Sequence, residues 1–354
     1  MPVTVRGGRA DRFMRRPRGY PTPMPSSEPS TAARPDDSST LPHEPEKQES
    51  LLTVVVALVA NALLAVAKTV AGVVTGSASM AAEAAHSWAD TGNEVFLLIA
   101  ERQGKKPRDA SHPRGYGRAT YVWSLVAAFG LFSAGAVVSM WHGVTELLKG
   151  EQGTPSYVTN YIVLAVALVL EGSSFFQASR QVHGESQRFG LHPLRFVDQT
   201  SNPTLRAVFF EDSAALVGIL LAGAGIGLHQ LTGNAIWDGI GSIAVGVLLA
   251  FVAAYLMRRN MQYLIGEGLT PDLRSRVVRR ILEHPDIDRV TYLHVEFVGP
   301  RRLFVVAAVD LVGDDSEHAL AMRLRGIEDQ LEDEQLIEDA VLTLSRPDEV
   351  AIQP

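Results

Sequence analysis

Six runs of mostly apolar residues fill the middle of the chain, and they constrain its fold more than any other feature. A helix that crosses a hydrocarbon core roughly 30 Å thick needs about 20 such residues. Because that core offers no water to backbone N–H and C=O groups, spanning segments of this length are helices. We therefore predict an α-helical membrane protein with six transmembrane helices, near residues 51–75, 78–100, 120–147, 157–180, 204–229 and 237–257.

The chain on either side of this transmembrane domain, residues 51–260, differs in composition. Residues 1–50 hold 9 of the 19 prolines and no apolar run, which predicts a disordered N-terminal tail. They also lack the apolar core of a secretory signal, and Gly7, Gly8 and Pro17 interrupt the helix that a transit peptide would need. After residue 265 the pattern is typical of a soluble fold, with helices at 272–284 and 316–332 and strands at 289–298, 302–312 and 337–345.

The order of these C-terminal elements is αββαβ, which predicts a small ferredoxin-like α+β domain over 265–346 with both helices on one face of the sheet, then a tail at 347–354. Basic residues set the orientation, because they are enriched in cytoplasmic loops. The loops after the second and fourth spans are rich in basic residues, whereas the loops on the opposite side hold one basic residue, Lys149. We expect both termini in the cytoplasm and a location in the plasma membrane.

Composition excludes several kinds of site. The chain has no cysteine, so disulfides, Cys-based zinc sites, iron–sulfur clusters and cysteine nucleophiles are ruled out, and a metal would be held by His, Asp, Glu or backbone oxygen. The formal net charge of −7 argues against a nucleic-acid partner.

Ionisable residues inside the second span are the first functional signal, because such groups are costly in a bilayer. His86 and Asp90 are four residues apart, which places both side chains on one helix face. Together they would supply two of the four ligands of a tetrahedral site for zinc or a similar divalent ion. The alternative is a hydrogen bond between the pair that stabilises helix packing.

The fifth span offers a third ligand, Asp212, beside Glu211. Adjacent residues point about 100° apart on a helix, so the two carboxylates cannot both line one narrow site. We expect one to bind metal and the other to carry protons, to contact a neighbouring helix or to support the ligands.

Three motifs resemble those of the cation diffusion facilitator family of divalent-metal transporters. They are Asn61-x6-Lys68-x3-Gly72-x3-Gly76-Ser77, then Ala85-His86-Ser87-x2-Asp90-x2-Asn93, then His112-Pro113-x-Gly115-Tyr116-Gly117-Arg118. The resemblance covers residues 51–345. It implies a homodimer that exports zinc, or manganese, iron or cobalt, in exchange for protons, with the metal as transported substrate, no permanently bound cofactor and a central site built from the second and fifth spans.

One position departs from the family pattern. The fifth-span motif is usually His-x-x-x-Asp, and with Asp212 as its aspartate the histidine position holds Val208. The Glu211-Asp212 pair is similar to the branch of the family with Glu-Asp at this place. The fourth ligand is then Glu211, Glu171, Asn61 or water, and replacing imidazole by oxygen would favour harder ions such as manganese.

Several other polar residues have weaker assignments. The resemblance implies a structural or gating role for His112 and Tyr116 at the cytoplasmic mouth, and the two alternatives are a metal ligand and a turn with a capping His. Lys68 and Glu94 are expected to pair or to extend toward the interface, and Glu83 to lie at the outer interface. We expect Glu171, beside small residues, to face the bundle interior.

Three classes of function compete. A proton-coupled metal transporter fits the intramembrane ligands best. An intramembrane metallo-enzyme would need an open metal position and a general base, and the sequence has no His-Glu-x-x-His or comparable motif. A non-transporting metal sensor or scaffold, which recruits partners through the acidic C-terminal domain, stays open because of Val208.

Overall fold

The computed structural model describes residues 51–149, 156–334 and 336–353. The predicted disordered tail at 1–50 lies outside the described residues. The membrane domain contains α1 (Leu51–Thr75), α2 (Ala78–Gly104), α3 (Ala119–Ala127), α4 (Ser133–Lys149), α5 (Tyr157–Phe189), α6 (Pro193–Gln199), α7 (Pro203–Thr232) and α8 (Ile236–Ile265). A π-helical turn, Ala128–Phe132, joins α3 to α4, so the predicted third span is one helical segment with a local widening.

Five segments of the described chain are long and apolar enough to cross a membrane: Leu58–Thr75, Ala119–Leu148, Tyr157–Phe189, Pro203–Thr232 and Ile236–Ile265. The sixth predicted span, α2, has 27 residues but is more polar. It packs against α1, α4, α7 and α8, and Glu83, His86 and Asp90 are buried among them. The helix that carries most of the ionisable groups is thus enclosed by apolar ones, and together the six segments form a multi-pass membrane fold.

Helix ends follow local sequence signals. Asn202 accepts hydrogen bonds from the backbone N–H groups of Thr204 and Leu205 and caps α7, with Pro203 at the first helical position. Gly190, Gly233 and Gly266 end α5, α7 and α8 in the left-handed conformation that glycine adopts without strain. These signals fix where each long helix stops.

The C-terminal domain consists of α9 (Pro271–Leu282), β1 (Ile287–Gly299), β2 (Arg302–Leu311), α10 (Glu317–Glu332) and β3 (Ile337–Leu344). In the sheet, β2 lies in the middle, antiparallel to β1 and parallel to β3. One apolar cluster joins Val278 of α9 and Ile327 of α10 to Val305 and Val309 of β2. Because Val305 and Val309 lie on the same face of β2, the predicted αββαβ fold with both helices on one face is confirmed.

The end of the chain contacts this sheet. The Ile352 N–H donates to the Val290 carbonyl over 2.8 Å, and Arg289 donates to the carbonyl oxygens of Arg346, Pro347 and Glu349. The segment expected as a tail therefore lies along β1.

The loop between α2 and α3 contacts the C-terminal domain directly. Arg114 and Arg118 both pair with Glu296 of β1, and Arg108 pairs with Glu338 of β3 at 3.2 Å. A Cβ atom on Gly117 would lie 2.5 Å from the Val298 carbonyl oxygen, so this approach requires glycine. The basic loop predicted to be cytoplasmic thus lies on the same side of the bundle as the C-terminal domain.

Candidate functional site

Helix α2 presents its polar side chains to the bundle interior. Glu83, His86, Asp90 and Asn93 are all buried, and they recur every three or four residues along one helix face. The start of α2 is anchored by Asp238 of α8, which accepts hydrogen bonds from the Ser77 hydroxyl and from the Ala78 and Ser79 N–H groups at 2.9, 2.7 and 3.2 Å. This anchor fixes the axial position of α2 in the bundle.

His86 and Asp90 face each other across one helical turn. The His86 Nε2 atom lies 3.3 Å from Asp90 Oδ2, but the two do not form a hydrogen bond, and neither side chain has a hydrogen-bond partner among the described residues. Buried polar atoms are nearly always satisfied. The pair is therefore in close contact without a well-formed hydrogen bond, and its ring nitrogen and carboxylate oxygens are of the kind that bind divalent cations.

Glu211 and Asp212 point to different helices, as their adjacency on α7 predicts. Glu211 accepts a hydrogen bond from the Asn93 side chain of α2. Asp212 accepts one from the Ser174 hydroxyl of α5 at 2.9 Å. Asp90, Glu171 and Asp212 are close enough to interact electrostatically. The predicted ligands of α2 and α7 therefore share one region of the interior.

The side chains do not form a closed coordination shell as they stand. Across the described ranges, no three His, Asp or Glu residues lie close enough together to hold a metal ion. Rotations of the buried side chains, or a shift of α7 against α2, would be needed to bring His86, Asp90 and Asp212 onto one ion.

The contacts of Lys68 differ from two of the predictions made from the sequence. Its ammonium group is buried and lies 3.0 Å from Glu83 Oε2 and 3.8 Å from Glu171 Oε1, so the expected pairing with Glu94 is wrong. Glu83 is fully buried in this pair and does not lie at the outer interface. Sequence spacing does not indicate this pairing, because Lys68 lies on α1 and Glu83 on α2.

The candidates for a fourth ligand have different partners. Asn61 donates a hydrogen bond from its side-chain amide to Glu94, and Glu211 is held by Asn93. Glu171 is buried and faces the interior, as expected, with Lys68 as its ion-pair partner. Glu171 is thus held by a long ion pair rather than by a short hydrogen bond.

His112 and Tyr116 lie in an exposed turn of the α2–α3 loop and stack on each other with ring centroids 4.0 Å apart. Asp109 organises the turn, since it accepts hydrogen bonds from Ser111, from the Tyr116 hydroxyl and from the His112 N–H. Those bonds, from Ser111 first, hold the pKa of Asp109 well below its usual range. This arrangement matches the capped-turn alternative, with Asp109 rather than His112 as the cap.

The fold and this interior define a multi-pass membrane protein with buried carboxylates and an imidazole, the donor set that divalent cations prefer when no thiol is present. Residues 54–265 match the family model of the cation efflux transmembrane domain. The chain belongs to the cation diffusion facilitator, or cation efflux, family of divalent-metal transporters.

Curated relatives agree with this membership. The chain is 35% identical over 260 residues to the mitochondrial proton-coupled zinc antiporter SLC30A9 of Xenopus laevis, covering 73% of this chain and 46% of that protein. It is 32% identical over 232 residues to metal tolerance protein C4 of Arabidopsis thaliana, covering 66% and 50%. It is 28% identical over 276 residues to the magnetosome protein MamM of Paramagnetospirillum magneticum, covering 75% and 77%. The chain spans about half the length of the first two relatives.

Proposed function

We propose that this protein exports a divalent metal cation, with zinc preferred, by proton-coupled antiport and alternating access in a homodimer. The observation that carries the proposal is the burial of His86 and Asp90 on α2 and of Asp212 on α7, two helices that pack against each other inside a membrane domain. Two carboxylates and an imidazole supply two negative charges and one neutral ligand, which balance a divalent ion. The names of the zinc antiporter relatives support zinc and protons as the exchanged ions.

Proton coupling follows from the chemistry of the ligands. Imidazole and carboxylate groups bind metal only when deprotonated, so protons compete with the metal for His86, Asp90 and Asp212. A pH gradient across the membrane would then drive release on the more acidic side. Glu211 is the separate proton carrier in this proposal, and its hydrogen bond with Asn93 rather than with the predicted ligands supports that role.

Val208 favours a second candidate within the same fold. Because it replaces an imidazole by an alkyl group, the remaining ligand set is richer in oxygen, and oxygen ligands suit manganese and other harder ions. A manganese, iron or cobalt transporter is therefore the alternative, and a metal-sensing scaffold without transport is a further outcome of the same test.

We also propose the plasma membrane as the location, with both termini in the cytoplasm; the basic loops support the orientation. Relatives with mitochondrial names make a mitochondrial membrane the competing location. Imaging of a fluorescent C-terminal fusion, with protease accessibility of the C-terminal domain, distinguishes the two.

Transport into proteoliposomes tests the function. Purified full-length chain is reconstituted, and uptake of zinc, manganese, cobalt and iron(II) is measured with and without an imposed pH gradient. The proposal expects zinc uptake that the gradient accelerates and that moves protons in the opposite direction. Preferred manganese uptake would select the alternative, and no gradient-dependent flux of any of the four ions would contradict antiport.

A further inference from the structure

Glu83 lies between Lys68 and His86 in the bundle interior. One carboxylate oxygen, Oε2, accepts a hydrogen bond from the Lys68 ammonium group at 3.0 Å. The other, Oε1, is buried and has no hydrogen-bond partner in the described part of the chain. His86 follows Glu83 by three residues, so both side chains lie on the same face of α2.

The unpartnered atoms of both residues converge on one position of α7. A Cβ atom built on Gly218 would lie 2.5 Å from Glu83 Oε1 and 3.5 Å from His86 Nδ1. Any larger residue would therefore push into the space that these two atoms share. Because Gly218 has no side chain, the space that Glu83 Oε1 and His86 Nδ1 both border stays open.

The two nitrogens of His86 have different surroundings. Nε2 lies 3.3 Å from Asp90, the neighbouring ligand, whereas Nδ1 lies on the Gly218 side with Glu83. A histidine that binds metal through one nitrogen usually donates the N–H of the other to a carboxylate or a carbonyl, which fixes the ring and strengthens the ligand. Glu83 is the carboxylate in position to accept that bond.

We propose that Glu83 is a positioning residue that accepts the Nδ1–H of His86 while Nε2 binds the metal, and that Lys68 holds Glu83 in place and offsets its charge. The proposal rests on the function proposed above. In this proposal the Lys68–Glu83 pair increases metal affinity because it orients His86. A pair that only stabilised helix packing would act on folding alone, independently of His86.

A double-mutant cycle on zinc affinity separates these cases. The ion pair is replaced by apolar side chains of similar length in Lys68→Met/Glu83→Met. All variants of this cycle carry Glu171→Gln, because Glu171 lies 3.8 Å from Lys68 and would otherwise be left as an unpaired buried charge. Zinc binding is measured by titration calorimetry on the purified full-length chain, alone and combined with His86→Asn. The proposal expects zinc affinity 10- to 100-fold weaker for the pair variant, the usual size for such outer partners. It expects little further loss when His86→Asn is already present.

A second variant covers the case in which the pair variant does not fold. Gly218→Ala inserts a methyl group against Glu83 Oε1 and is expected to weaken zinc binding, again without added effect in His86→Asn. Gly223→Ala on the same helix is the matched control, because its Cβ would meet only Leu164 at 3.9 Å. It is expected to leave zinc affinity unchanged.

The results distinguish a failure of the positioning role of Glu83 from a failure of the proposed metal site. If His86→Asn and Asp90→Asn weaken zinc binding but the pair variant and Gly218→Ala bind zinc normally, or add their full loss to that of His86→Asn, the positioning role is overturned while the site stands. If His86→Asn and Asp90→Asn also bind zinc normally, the proposed site itself fails.

Discussion

We expect the side chain at position 208 to determine the metal selectivity of the site. Val208 is partly buried and packs with Phe210 against the apolar cluster around Leu249 and Val252 of α8. It lies one turn before Asp212, so a side chain at this position is on the same helix face as that predicted ligand. An imidazole there would lie one helical turn from the Asp212 carboxylate, the spacing of the His-x-x-x-Asp motif.

Val208→His is therefore expected to raise the preference for zinc over manganese. The added nitrogen ligand suits zinc better than manganese. We expect a change of about tenfold in the ratio of the two uptake rates, equivalent to about 1.4 kcal/mol. Uptake of both ions in proteoliposomes measures this ratio, with Val208→Leu as the control for side-chain size. An unchanged ratio would show that position 208 does not face the transported ion.

Asp238 is expected to affect the stability of the fold rather than metal binding. Because its carboxylate satisfies the Ser77 hydroxyl and two N–H groups at the start of α2, Asp238→Ala leaves buried donors unpaired. We expect a loss of about 1–3 kcal/mol of stability, seen as a lower melting temperature in detergent. Asp238→Asn, which keeps one acceptor oxygen, should lose less. Equal melting temperatures for the three proteins would contradict the anchor.

At the scale of elements, the α2–α3 loop joins the helix that carries His86 and Asp90, two of the predicted ligands, to the C-terminal domain. Its contacts combine ion pairs to Glu296 and Glu338 with the close backbone approach at Gly117. The Arg114 guanidinium also lies over the Phe304 ring, 4.2 Å from its centroid. These contacts connect β1 directly to the loop that follows α2.

Gly117→Ala is expected to loosen this junction. The added methyl group would overlap the Val298 carbonyl oxygen, and such overpacking typically costs 1–3 kcal/mol. Hydrogen exchange of residues 296–300 should become faster than in the parent. Gly184→Ala, a helical position with open space around it, is the control and should leave this exchange unchanged. Unaltered exchange in both variants would show that the approach at Gly117 is dispensable.

The Asp109 turn should persist to low pH. Since hydrogen bonds depress the pKa of Asp109 in the folded state, its stabilising effect is present above the ordinary aspartate range and is lost only as the pH falls through that depressed value. Hydrogen exchange of residues 109–117 should therefore show protection that persists to about pH 3, below the ordinary aspartate pKa, and that Asp109→Asn removes. The same exchange in parent and variant would contradict the role of the carboxylate.

Sequence patterns predicted the long elements well and the short or cross-helix features poorly. Apolar runs and alternation gave the spans and the αββαβ order because burial in lipid or in a sheet face dictates residue type over many positions. They missed α6, since seven residues carry too little periodicity. They paired Lys68 with the wrong glutamate, because the choice between Glu83 and Glu94 depends on how α1 sits against α2, which sequence spacing does not encode.

At the scale of the whole molecule, ionisable groups are concentrated in one enclosed region of the membrane domain. His86 and Asp90 are on α2, Glu171 on α5 and Asp212 on α7, while the lipid-facing surfaces of these helices are apolar. Ionisable groups inside a membrane protein are costly, so their presence on three helices of the bundle supports the functional role proposed for them. The central claim is that His86, Asp90 and Asp212 together form the transport site.

Zinc uptake by site variants in proteoliposomes with a pH gradient tests that claim most directly. Asp90→Asn and Asp212→Asn keep the side-chain shape but remove a charge, and His86→Asn removes the imidazole. Glu101→Gln is the matched control, because Glu101 lies on the same α2 helix but is exposed and paired with Lys105. We predict that the three site variants lose gradient-driven zinc uptake while Glu101→Gln retains it. Full zinc uptake by Asp90→Asn or Asp212→Asn would contradict a transport site shared by α2 and α7.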